Sequence, residues 1–75
     1  MVTQEVLNKI KLTFGENNVK VFGIDTNYVS VNLIWPRYII TFNAFDGECY
    51  VADSKFRDYF FKSIDKAIEY IKSKM

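Results

Sequence analysis

The stretch YVSVNLIWPRYIITFNAFDGECYVAD, residues 28–53, decides the fold of this 75-residue chain. Apolar side chains alternate in it with polar ones, the mark of half-buried strands, because successive side chains of a strand point to opposite faces. Two breaks divide it. Trp35-Pro36 interrupts the ladder, since proline has no N–H to donate. Asp46-Gly47 is a strong hairpin signal, because a type I′ turn needs positive φ at both central positions. Residues 28–34, 37–45 and 48–53 are therefore expected as antiparallel strands.

The breaks also predict a register. A two-residue turn at Asp46-Gly47 pairs Phe45 with Glu48, Ala44 with Cys49, Asn43 with Tyr50 and Phe42 with Val51. An even-numbered connection around Trp35-Pro36 pairs Leu33 with Tyr38, Val31 with Ile40 and Val29 with Phe42. Both hairpins then put Val29, Val31, Leu33, Tyr38, Ile40, Phe42, Ala44, Cys49 and Val51 on one face, nine positions without a charge. A one-residue slip would invert each set, so their agreement identifies the core face.

Working outward, residues 19–24 form a further strand, joined to the next by the turn formers Asp25-Thr26-Asn27. A three-residue turn would place Val19 and Val21 on the core face, and a two- or four-residue turn Phe22 and Ile24. The start of the chain reads as a helix: Thr3 as cap, Glu5 in the first turn, Val6, Leu7, Ile10 and Phe14 at helical spacing, and Gly15 as the stop. Ser63 caps a final helix with Asp65 in its first turn, an apolar stripe of Ile64, Ala67, Ile68, Ile71 and Met75, and Lys72 and Lys74 at its negative end. Residues 54–61 fit either a short helix capped by Ser54 or, over 57–61, an edge strand. The expected fold is one α+β domain over residues 1–75, an α-β-β-β-β-α two-layer sandwich. Its four-stranded antiparallel sheet carries both helices on one face.

Composition excludes much chemistry. There is no histidine and one cysteine, Cys49, so Ser-His-Asp, Cys-His and Cys/His zinc arrangements are ruled out. The scattered Gly15, Gly23 and Gly47 build no phosphate loop. Asp46 and Glu48 share a hairpin tip, where turn formation and solvation account for them. No catalytic, metal or cofactor-binding residues are expected, and the chain reads as non-enzymatic. Its longest uncharged run, residues 26–36, is well short of the ~18 apolar residues of a membrane span. Without a signal-peptide pattern, and with a lone thiol, the expected location is cytoplasmic.

The second sheet face supplies the functional expectation. It carries Tyr28, Asn32, Ile34, Ile39, Asn43, Phe45, Glu48 and Tyr50, with a single charge among them, and Trp35 on the adjoining loop. In a chain short of core volume, Trp35 is expected to fold over the sheet edge. Interface centres are low in charge and rich in aromatics, so these nine residues are the candidate partner-binding set. The expected function is protein binding, for instance as a phage- or mobile-element-type inhibitor of a larger enzyme, with homodimerisation as a close variant. A single-stranded nucleic-acid or RNA-binding sheet that stacks bases on Tyr28, Phe45 and Tyr50 is the alternative. Against it, residues 21–54 hold four acids and one base, net −3, whereas phosphate binding rests on cations.

Overall fold

In a computed structural model of the protein, residues 2–24 and 27–75 are described. Helix α1 (Thr3–Phe14) and a 3₁₀ turn (Glu16–Asn18) precede five strands, and helix α2 (Ile64–Ser73) follows them. The strands are β1 (Val19–Ile24), β2 (Tyr28–Leu33), β3 (Tyr38–Asn43), β4 (Cys49–Ala52) and β5 (Asp58–Phe61). They form a single antiparallel meander in the order β1-β2-β3-β4-β5. The fold is thus the expected α+β sandwich, with a fifth strand where four were expected. β5 turns Tyr59 and Phe61 toward α2, where both rings lie against Tyr70. A helix over 54–61 would leave that edge of the core open.

The β2–β3 register is the expected one, with Leu33 opposite Tyr38, Val31 opposite Ile40 and Val29 opposite Phe42. The β3–β4 register is shifted by two: Phe42 lies opposite Cys49, Thr41 opposite Tyr50 and Ile40 opposite Val51. The turn is longer than Asp46-Gly47 alone. The Asn43 side-chain oxygen accepts from the Phe45 and Asp46 N–H groups at 2.8 and 3.3 Å. The Asn43 N–H donates to the Glu48 carbonyl at 2.8 Å. Residues 44–47 form the loop, and of the proposed pair only Gly47 takes positive φ, at 79°. A shift of two preserves facing, so the core face survives: eight of its nine residues are buried, and Tyr38 is half-buried.

β1 follows the three-residue-turn reading at its start, where Val19 is buried, while Phe22 of the other reading is exposed. Val19 and Val21 lie opposite Leu33 and Val31, then a bulge at Phe22 shifts the register, so that Gly23 faces Ser30 and Ile24 faces Val29. The expected turn residues Asp25 and Thr26 lie outside the described residues.

Both helices cover the same side of the sheet. Val6, Leu7 and Ile10 of α1 and Ile64, Ala67, Ile68 and Ile71 of α2 join the inward strand residues in one core. Met75, expected in the stripe, is exposed. Ser63 caps α2 as its sequence suggests, its hydroxyl accepting from the Lys66 N–H at 3.3 Å. Thr3 does not cap α1. Val2 takes that position, and its N–H donates to the Ala44 carbonyl at 2.7 Å, stitching the helix to the β3–β4 loop. The Thr3 hydroxyl is left buried without a partner among the described residues.

Candidate interaction surface

With the helices on one side, the other face of the sheet is uncovered, and pairing sorts its residues into rows across the strands. One row reads Lys20, Asn32, Ile39, Ala52, Asp58, from β1 to β5. The next reads Gly23, Ser30, Thr41, Tyr50, Phe60. Tyr28 and Asn43 pair in the row beyond. The centre carries no charge. Tyr50 and Phe60 stand with ring centroids 5.2 Å apart and remain 46% and 48% exposed. Two adjoining aromatics in water mark a contact patch more strongly than isolated apolar residues do. Ser30 and Thr41 bring their hydroxyls to 3.3 Å across β2 and β3.

At the end of this face where β2 turns into β3, a depression of about 370 Å³ opens. Ile39 and Asn32 are in its lining, Ile34 and Arg37 come from the β2–β3 loop, Lys20 from β1 and Phe56 from the β4–β5 loop. Phe56 is 80% exposed and holds φ at +61°, a region costly for a bulky residue. Asp53 imposes that conformation. Its Oδ1 accepts from the Lys55 and Arg57 N–H groups at 2.9 and 3.0 Å, and its Oδ2 from Arg57 Nε at 2.9 Å. The Arg57 backbone N–H leads in holding the Asp53 carboxyl below its ordinary pKa, against the effect of burial and helped by the Lys55 N–H and the guanidinium. Lys20 and Arg37 form no ion pair among the described residues.

The expected binding residues divide by this geometry. Tyr28, Asn32, Ile39 and Tyr50 lie on the strands of the outer face as expected. Ile34 lies just past the end of β2 and lines the depression. Phe45 and Glu48 fall outside the strands because the register is shifted, and both are exposed at the opposite end of the sheet. Asn43 is committed to its own turn. Trp35, expected to fold into the core, is 62% exposed, its backbone N–H held by the Asn18 side chain at 2.8 Å. Sequence reasoning missed Phe56 and Phe60. Phe60 becomes an outer-face residue only once β5 is a strand. Phe56 had a readable signal in Asp53 followed four residues later by Arg57, the spacing of a side-chain-capped turn.

No protein family, curated protein or solved structure matches the chain. Its surface therefore carries the functional argument alone. Among the described residues, no cluster of three or more acids and thiols could hold a metal ion. Cys49 is fully buried, its thiol pushed up to about 11 by burial and directed at the Ser63 carbonyl at 3.7 Å. It is a packing residue between β4 and the start of α2. No described helix is long and apolar enough to cross a membrane.

Proposed function

We propose that this protein is a binding module that engages another polypeptide through the outer face of its sheet. The exposed Tyr50–Phe60 pair at the centre of a face whose charges lie only at its margins supports this reading most directly. Such a face resembles the centre of a protein interface, where aromatics are enriched and charge is depleted. Tyr28 and Ile39 extend it along the strands, and Ile34 and Phe56 extend it around the depression.

Tyr50→Ala combined with Phe60→Ala tests the reading. The double variant should keep its circular dichroism spectrum and lose at least tenfold in association with the protein's partner, whether a second copy or a captured protein, as truncated interface anchors do. Unchanged association would overturn it. Salt-steep binding to single-stranded nucleic acid that depends on Lys20 and Arg37 would replace it with the stacking-sheet alternative.

A further inference from the structure

We propose that the occupant of the outer face is a second copy of this chain, related by a two-fold axis that lies in the interface and runs along β3. This rests on the reading of that face as a protein-binding surface. Such an axis reverses strand order while keeping each residue at its own level along the strands, which makes the pairing checkable row by row. The row from Gly23 to Phe60 runs from small side chains to large ones: Gly23, Ser30 and Thr41, then the two aromatics Tyr50 and Phe60. Laid against its own reverse, the row sets Phe60 of the second copy over Gly23 and Tyr50 of the second copy over Ser30. Thr41 meets its counterpart on the axis. Large groups fall on small ones along the whole row, the complementarity a self-matching interface requires.

Charge follows the same rule. The neighbouring row begins with Lys20 and ends with Asp58, with Asn32, Ile39 and Ala52 between. Within one chain these charges stand four strands apart, about 19 Å, too far to pair. The two-fold sets each over its opposite on the second copy, giving two ion pairs at the interface margins and no charge at its centre. Twisted sheets packed face to face turn by about 30°, which inclines the axis by half that angle to β3, and the long arm of Lys20 spans the offset this brings at the outer strands.

Gly23 supplies the third observation. Its φ lies outside the left-handed region, and a Cβ built there meets no atom within 4 Å among the described residues, so no steric contact among them requires glycine at this position. A glycine inside a strand weakens it and marks a bulge or the close approach of another group; the β1 bulge ends at Gly23, and the open space above it can receive a further side chain. Here that group is Phe60 of the second copy, received beside the bulge. Five strands spaced about 4.8 Å apart make a face about 19 Å wide, which the adjoining Ile34 and Phe56 extend.

The experiment is light scattering during size-exclusion chromatography from micromolar to millimolar protein, on the wild type and on the variants Lys20→Asp, Asp58→Lys and Gly23→Val. The wild type should dimerise. Each charge reversal should weaken the dimer roughly ten- to hundredfold through two like-charge contacts. An equimolar mixture of Lys20→Asp with Asp58→Lys should restore it, because the heterodimer regains both opposite-charge pairs. Gly23→Val should abolish the dimer while leaving the thermal midpoint of the single chain unchanged or higher. A wild type that stays monomeric at millimolar concentration overturns the proposal, as does a dimer indifferent to all three variants, or singles that fail to complement. If a monomer still captures a different protein in a manner sensitive to Tyr50→Ala and Phe60→Ala, the outer face remains a binding surface and only the self-association fails.

Discussion

Phe56 is held with its ring in solvent and its φ at +61°, and the hydrogen bonds from Asp53 keep it there. Since the folded Asp53 pKa lies below its ordinary value, the carboxylate stabilises the loop fully above the ordinary carboxylate range. That contribution is lost as pH falls through the lowered folded value. The Lys55 and Arg57 amide resonances should therefore titrate together in acid, at a pH below the ordinary carboxylate range. In Asp53→Ala both should sit at unstructured shifts at neutral pH, with the rest of the spectrum retained. Amides that ignore both acid and the substitution would mean that Phe56 is held by something other than Asp53. Arg57 takes part through the same contact, its guanidinium pKa raised first by the hydrogen bond to Asp53.

At the scale of elements, two caps looked alike in sequence and differ in the fold. Ser63 accepts from the α2 backbone, whereas Thr3 has passed into the first turn of α1 with its hydroxyl buried and unpartnered among the described residues. Ser63→Ala should cost about 1 kcal/mol. Thr3→Ala should be neutral or stabilising, since it removes a buried polar group with no bond to lose and improves helix propensity. The urea midpoint should fall in Ser63→Ala and hold or rise in Thr3→Ala, and equal losses would show that Thr3 has a partner. The same contrast explains what was legible. Residues 28–43 declared both strand and facing because their inward positions are uniformly apolar and the connection around Trp35-Pro36 has four residues, 34–37. The β3–β4 face was legible, but its register was not: the Asn43 side chain reaches forward to two amides and lengthens the loop, a choice no periodicity records. β5 was left open against a short helix because Tyr59-Phe60-Phe61 is a run of aromatics with no period to separate inward from outward. Phe60 was therefore missed from the candidate site, and Phe45 and Glu48 were placed on strands they do not join. The bulge at Phe22, which shifts the pairing between Val21 and Gly23, was likewise beyond what alternation in β1 records.

At the scale of the whole molecule, a 75-residue domain has about 4–11 kcal/mol of stability in total. Phe42 lies on the central strand with no exposed surface, and Phe42→Ala should cost about 3–5 kcal/mol, enough to unfold much of the population. Phe60 has the same side chain one strand beyond β4, on the other face, half exposed. In the isolated chain, Phe60→Ala should stay within about 0.5–1 kcal/mol of the wild type, as surface substitutions do. A protein that associates through this face acquires further stability by mass action, which raises its thermal midpoint with concentration. Melting curves across a hundredfold concentration range should separate the two effects. Phe42→Ala lowers the midpoint at every concentration and leaves its slope against concentration in place for the population that folds. Phe60→Ala leaves the dilute midpoint unchanged and flattens that slope. If Phe60→Ala instead lowers the dilute midpoint as far as Phe42→Ala does, Phe60 belongs to the core of the single chain, and the outer face is not available to a partner.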